Sequence, residues 1–268
     1  MAARRRGARV TTPLVLAADA NTDDAVAILL AARHPHLDLR GVSTASADEA
    51  AALRDLVAPG EVGEVGFHAG PDWLVRTLRE APEPVTLVTT GPLTHVAAAL
   101  AADRSIARAV ARLVVLGGAH RAAGVAAHAE RNVWTDPDAA AVVLAAPFRD
   151  TLLVTADATA AAALTPADLD RLHASGTAPA RAAAGLCAER LDRGALVHDP
   201  LAVAAVVDPT LLTTLRATVR VERTDPATYG ATRFAAELDE KRGRTTVAVG
   251  ADRARYADLL CTTLGKRY

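Results

Sequence analysis

Leu14-Val15-Leu16-Ala17-Ala18-Asp19-Ala20-Asn21-Thr22-Asp23-Asp24-Ala25-Val26-Ala27-Ile28-Leu29-Leu30 passes from a short apolar run, through a polar turn, into a second and longer apolar stretch. The first run has the length of a strand covered on both faces, and the second has the length of a buried helix. Strand, turn and helix in that order form the repeating unit of a parallel α/β sheet.

Working outward, the same alternation recurs. Pro13–Ala18 precedes a helical stretch over 23–32. Leu37–Val42 precedes 49–57, Val85–Thr89 precedes 93–102, and Leu113–Leu116 precedes 137–144. Further on, Thr151–Val154 reads as another buried strand, with helices over 166–174, 178–191, 200–207 and 253–264. Alternating stretches at 218–221 and 245–249 read as an added β-hairpin or edge piece. The fold class expected is a single α/β domain, a mostly parallel central sheet flanked by helices with a Rossmann-like core.

Nothing in the chain of 268 residues marks a linker or repeat, so residues 13–268 are expected to form one domain behind a flexible basic tail at 1–12. Thirty Lys and Arg against thirty-one Asp and Glu leave a net charge of −1, which argues against a nucleic-acid or membrane partner. The apolar run at 14–18 is too short for the core of an export signal, which needs about 7–15 residues. Two cysteines, Cys187 and Cys261, have no metal or redox spacing and fit a reduced, cytoplasmic protein.

In open α/β sheets, ligands gather beyond the carboxyl ends of the strands. Four such places carry unusual residues. After the first strand, Asp19, Asp23 and Asp24 crowd one turn. Helix capping by Asn21 or Thr22, with acids favouring the helix dipole, accounts for part of this but does not need Asp19. Three neighbouring carboxylates repel unless a cation lies among them, and such oxygen clusters suit calcium or magnesium.

The second place is Thr89-Thr90-Gly91-Pro92-Leu93-Thr94-His95, a strand end whose main-chain carbonyls could serve a metal; a plain helix start at Pro92 is the alternative. Third comes Gly117-Gly118-Ala119, followed by Ala129-Glu130-Arg131-Asn132. In an extended segment Glu130 and Asn132 project to one side, suited to sugar hydroxyls, although such pairs often merely face water. Asp136-Pro137 reads as a helix entry. The fourth is His198-Asp199-Pro200-Leu201-Ala202, where Asp199 could cap a helix, or serve a metal beside a proton-donating His198.

In order and spacing, Asp19…Asp23-Asp24-Ala25, Thr90-Gly91-Pro92-Leu93-Thr94, Gly117-Gly118-Ala119, Glu130-Arg131-Asn132 and His198-Asp199-Pro200 resemble the motifs of the inosine-uridine nucleoside hydrolase family, over about Leu14 to Pro209. The resemblance implies calcium-dependent hydrolysis of an N-glycosidic bond in a ribonucleoside or related ribosyl compound, releasing base and ribose, as in purine and pyrimidine salvage. It implies calcium held by Asp19, Asp24 and Asp199 with the Thr90 carbonyl, and a water that attacks the anomeric carbon after losing its proton to Asp19. Asp23, Asp48, Glu130 and Asn132 would grip the ribose, and His198 would help protonate the departing base. Arg131, where the family has an aromatic residue, would meet the base. Family members form dimers or tetramers, so a homo-oligomer with a small nucleoside-like substrate is expected.

The chain also departs from the pattern. Ala17 stands where the family has an Asp that orients the metal-binding carboxylates, and loss of such a partner typically weakens a metal site about 10–100-fold. Ala20-Asn21 stands for Pro-Gly, Ala47-Asp48 for Gly-Asn, and Gly124 for an Asn that contacts ribose. The stretch between Gly70 and Val85 is shorter than the family's covering loop, and only 3% of the chain is aromatic, so a stacking platform is depleted. These changes keep open a second reading, a descendant that binds a ribosyl compound or transfers its glycosyl group. A haloacid-dehalogenase-type phosphatase is disfavoured, because Asn21 stands where its second Asp is required.

Overall fold

The computed structural model describes residues 11–57, 61–121, 129–192, 196–236 and 245–266. In chain order the elements are β1 (Thr12–Ala17), α1 (Thr22–Arg33), β2 (Leu37–Thr44), α2 (Ala47–Val57), β3 (Phe67–Ala69), α3 (Pro71–Glu80), β4 (Val85–Thr89), α4 (Thr94–Ala102), α5 (Ile106–Ala109) and β5 (Val110–Leu116). The second half holds α6 (Arg131–Thr135), α7 (Pro137–Ala145), β6 (Thr151–Val154), α8 (Ala156–Ala161), α9 (Pro166–Ala174), α10 (Ala178–Asp192), α11 (Asp199–Val207), a 3₁₀ turn (Pro209–Leu211), β7 (Leu212–Val221), β8 (Thr232–Ala236), β9 (Thr245–Ala251) and α12 (Arg253–Leu264). The expected basic tail falls almost wholly outside the described residues, as does Gly124; Thr12 already belongs to β1.

Among the described residues the strands form one sheet in the order β3-β2-β1-β4-β5-β6-β9-β7-β8. From β3 through β9 the pairing is parallel, and β7 runs antiparallel to both β9 and β8. The expected antiparallel addition is therefore present, with β9 also continuing the parallel sheet and with a third strand, β8, that the sequence pattern does not disclose. It is single-domain α/β architecture as expected.

Alternation along the strands divides the core. Leu14 and Leu16 of β1 face α1, α9, α10, α11 and α12, whereas Val15 and Ala17 face α3, α4, α5 and α7. Helix α1 is buried without a break from Asp23 to Ala31, so Ile28, Leu29 and Leu30 each contribute about 1.5–3 kcal/mol of apolar burial. The same enclosure takes Asp23 and Asp24 out of water.

The strand order reverses between β1 and β4: the chain winds one way through β2 and β3 and the other way through β5 and β6. A crevice opens outside the carboxyl ends of the two strands at such a switch point. Asp19 follows β1 there and Thr90 follows β4.

Candidate active site

The turn after β1 is built around a capping box. Asn21 accepts from the main-chain amides of Asp23 and Asp24, and Asp24 accepts through Oδ2 from the Asn21 amide at 3.1 Å. Asn21 is thus the cap, satisfying amides that the first helical turn leaves without partners. Asp24 Oδ2 also accepts from the Asp19 amide at 3.3 Å, and its Oδ1 accepts from the Thr90 hydroxyl, so one buried carboxylate ties the ends of β1 and β4 together. Asp19 Oδ1 accepts from Asn21 Nδ2 at 2.6 Å. Gly91 is glycine by necessity here: a Cβ on it would lie 2.6 Å from Asp19 Cβ.

The crevice is a cavity of about 390 Å³ lined by Asp23, Thr90, Glu130, Arg131, Asn132, Thr159, Arg190, His198 and Asp199, with Asn21, Leu116, Gly117, Val154, Ala156 and Leu196 completing its wall. Most of the residues expected at the site are thereby brought together from the ends of β1, β4, β5 and β6 and from the α10–α11 connection. Asp19 and Asp24 stand behind the wall, at the end of β1. Asp48 does not line the cavity; it lies exposed in the first turn of α2, because that helix begins at Ala47 and the acid faces solvent at its positive end.

Glu130 and Asn132 differ from their expected setting. They do not share an extended segment: Glu130 caps α6 and Asn132 lies within it. Glu130 Oε1 accepts from the Asn132 amide at 2.8 Å, and Oε2 accepts from Gly118 at 2.9 Å and Val133 at 3.3 Å. Orphan amides at the start of α6 attract the carboxylate, which also pins the Gly117-Gly118 loop. Burial raises the Glu130 pKa, against the lowering effect of the three amides and of Arg131. Asn132 Nδ2 donates to the carbonyls of Thr90 at 2.7 Å and Leu116 at 3.1 Å, orienting the Thr90 oxygen.

Asp199 does not cap α11. His198 occupies the cap position, and Asp199 is the first helical residue, with its Oδ2 buried and without a hydrogen-bond partner. Burial, followed by the charges of Asp24, Asp23 and Asp19, raises the Asp199 pKa well above the usual carboxylate range, with Arg190 opposing. Asp24 is raised in the same direction by burial and then by Asp19. Charge of one sign is therefore in excess at the end of β1, and a divalent cation would relieve it. Three carboxylates and an oriented carbonyl are the hard oxygen donors such a cation takes, and the orphaned Asp199 oxygen fits one. Among the described residues, however, no three acidic, His or Cys side chains already converge as a metal cluster. The donor types are those a hard divalent cation such as calcium takes.

His198 Nδ1 lies 2.6 Å from Thr159 Oγ1, and Thr159 Oγ1 in turn donates to the Ala156 carbonyl at 3.1 Å. That arrangement leaves Nδ1–H to donate to Thr159 and turns Nε2 away from that contact. Burial lowers the His198 pKa, Asp23 raises it and Arg190 lowers it, with a net fall. The shift favours the neutral imidazole.

Two residues here escape sequence reasoning. Arg190 Nη2 pairs with Asp23 Oδ2 at 3.1 Å and also holds the Leu196 carbonyl at 3.0 Å, while the His198 amide donates to the same Asp23 oxygen at 3.1 Å. Asp23 Oδ1 is left buried with no partner. Thr159 is the second. Arg190 continues the buried stripe of Ala180, Ala183, Ala184 and Cys187 along α10, and a cation at the end of an apolar stripe was the available signal. Both cysteines are free, Cys187 buried and its thiol pushed up to about 12, chiefly by burial. Among the described residues no helix is long and apolar enough to cross a membrane.

Comparison with known proteins agrees with this geometry. A family model described as inosine-uridine preferring nucleoside hydrolase matches residues 57–258. The pyrimidine-specific ribonucleoside hydrolase RihA of Enterobacter sp. (strain 638) is 30% identical, over 95% of this chain and 98% of its own. Among solved structures, the plant nucleoside hydrolase PpNRh1 superposes with a TM-score of 0.81 at 25% identity, covering 96% of this chain and 99% of that one. The purine-preferring ribonucleoside hydrolase from Gardnerella vaginalis also gives 0.81 at 25% identity, covering 95% and 98%.

Proposed function

The chain belongs to the inosine-uridine preferring nucleoside hydrolase family and is an N-ribohydrolase, and from that premise we propose that it cleaves ribonucleosides in the cavity at the β1–β4 switch point, with calcium, releasing base and ribose. The observation that carries the reading is Asp199 Oδ2, buried without a partner beside two further buried carboxylates.

Asp19, Asp24, Asp199 and the Thr90 carbonyl are the donors for the ion. Bound there, calcium supplies positive charge that lowers the pKa of a nearby water. Asp19, in contact with Asn21 and less buried than Asp24, accepts the proton of the water that attacks the anomeric carbon. Asp23 offers Oδ1 to a ribose hydroxyl while Arg190 and the His198 amide hold Oδ2, so the carboxylate is fixed before substrate arrives. Glu130 and Asn132 line the same wall; their charge and dipole oppose the positive charge that grows on the sugar as the bond breaks. For Asn132 this is done through Oδ1, since both carbonyl partners engage Nδ2.

His198 faces the departing base. Held neutral and donating through Nδ1 to Thr159, it can hydrogen-bond to the base through Nε2 as acceptor, and it protonates the base only after gaining a second proton. Relatives whose names specify pyrimidine and purine bases leave the base open for this chain. The family's association into dimers or tetramers is proposed here too.

The test is release of base and reducing sugar from a panel of purine and pyrimidine nucleosides, with calcium and with chelator. Turnover should fall by about 10²–10⁴-fold in Asp19→Ala and on removal of the ion. Full activity in chelator would sink the calcium assignment, and full activity in Asp19→Ala the role of that residue.

A further inference from the structure

The chain holds eight Phe, Trp and Tyr residues, and none of the seven among the described residues lines the cavity. Phe67 and Trp73 lie at β3 and α3, where Trp73 stacks on His68; Phe234 of β8 meets His120. Trp134 and Tyr229 are exposed, and Tyr256 is buried beneath α11. Phe148 packs behind α7, and Tyr268 is the last residue of the chain. The segments 58–60, 122–128, 193–195 and 237–244 contain no aromatic ring other than His128. Among the described residues, a nucleobase entering this cavity therefore meets no Phe, Trp or Tyr platform.

What the wall offers instead is Arg131. Its neighbour Glu130 turns its carboxylate to the amides of Gly118, Asn132 and Val133, not to the guanidinium. Among the described residues no acceptor pairs with the Arg131 side chain, whereas the cavity's other cation, Arg190, is engaged by Asp23 and the Leu196 carbonyl. Arg131 keeps all five N–H donors open among the described residues, so its fork is available to an acceptor on the ligand. The lining of the cavity thus carries charge of both signs, the carboxylates of Asp23 and Asp199 and the unspent guanidinium of Arg131. Planar bidentate acceptors, phosphate or carboxylate, match such a fork best.

We propose that the preferred substrate of this cavity is a ribosyl compound bearing an anionic group, a phosphate or a carboxylate, which Arg131 receives. The proposal rests on the hydrolytic reading of the same cavity.

The experiment compares kcat/KM for uridine, uridine 5′-monophosphate and orotidine, which carries a carboxylate on its base, in the parent, Arg131→Ala and Arg131→Lys. At least one charged substrate should exceed uridine by about tenfold or more in the parent. Arg131→Ala should erase that preference, and Arg131→Lys should keep part of it as a point charge. The phosphate and carboxylate arms identify the source of the charge. Uridine as the best substrate, or an equal loss on all three in Arg131→Ala, would overturn the proposal. If none is turned over with calcium present, the hydrolytic reading fails separately. Calorimetry of ribose 5-phosphate against ribose, and of orotate against uracil, then decides: tighter binding of a charged partner that Arg131→Ala abolishes supports the anion site, and equal binding rejects it.

Discussion

Asn21…Asp24 at the start of α1 and Thr165…Asp168 at the start of α9 are the same local device, a capping box closed by an aspartate three residues into the helix. Both aspartates are buried, at 0% and 5% exposure, yet their carboxyl pKa values move in opposite directions. At Asp24, burial and then the charge of Asp19 push it up. At Asp168 the burial effect also pushes upward, but it is outweighed by hydrogen bonds from Thr165 and by Arg253 and Arg171, and the net shift is downward. Arg253 Nη1 lies 2.7 Å from Asp168 Oδ2, whereas the space around Asp24 holds another carboxylate. One box is arranged for stability. The other sets a buried carboxyl beside another carboxylate, a crowding that a cation would relieve.

The largest effect that could break this contrast comes from Asp24→Asn. The substitution keeps the shape of the side chain, leaves a weaker neutral acceptor for the Asp19 and Asn21 amides, reverses the bond with Thr90, and removes one like charge. Activity should fall by about 100-fold or more, as when a preorganised charged group is lost. Calcium-free stability should not fall, because removing a repelled buried charge is neutral or stabilising. Melting in chelator and in calcium checks both halves: calcium should raise the parent's midpoint and leave that of the variant nearly unmoved. A variant less stable than the parent in chelator would show that Asp24 is a structural acid like Asp168.

Asp168→Ala should do the opposite, leaving turnover intact and costing about 1–3 kcal/mol through loss of the cap and of the Arg253 pair. The half-exposed arginines keep the figure modest, since solvent screens them. The pH dependence follows from the direction of the shift. A carboxyl whose folded pKa is depressed adds stability above its ordinary value of 3.8 and loses it as pH falls through the depressed value. Urea denaturation at successive pH values should therefore show a constant gap between parent and variant at neutral pH, closing only well into the acid range. A gap that persists there would mean that the side chain acts through packing rather than charge.

How far the sequence disclosed these two boxes follows from how local their signals are. Strand β4, helix α9 and helix α12 match their sequence patterns to the residue, because apolar period and helix-start chemistry are encoded in neighbouring positions. Strand β8 and the short helix α6 do not, since β8 is defined by pairing with β7 and α6 by a carboxylate that also binds Gly118. The acids of the cavity were legible as strand-end residues, and their order carried the family. Asp48 was misplaced because the chain enters α2 one residue before it. The stripe along α10 marked Arg190 as a partly buried cation but could not name its partner, because Asp23 lies 167 positions away. Opposing pKa shifts in two identical motifs depend on what tertiary folding delivers beside them, and no local pattern specifies that.

The smallest effect sharpens the comparison at the turn just before the α1 box. Ala20 has φ of 68°, and among the described residues it is the one non-glycine in the left-handed region. For a residue with a Cβ that conformation costs about 1–2 kcal/mol, and it persists because Asp24 Oδ2 holds the amides on both sides, those of Asp19 and Asn21. The α9 box has no such strain on its approach, with Leu164 and Thr165 outside the left-handed region. Ala20→Gly relieves the strain but gives the unfolded chain more freedom, an offset of about 0.4–1 kcal/mol. The net expectation is a gain of about 0.5–1 kcal/mol, read as a higher denaturation midpoint at unchanged slope. Combined with Asp24→Asn, which weakens the grip on both amides, the gain should shrink, because the strain then relaxes without glycine. Strict additivity of the two substitutions would instead place the origin of the turn's conformation outside the Asp24 carboxylate.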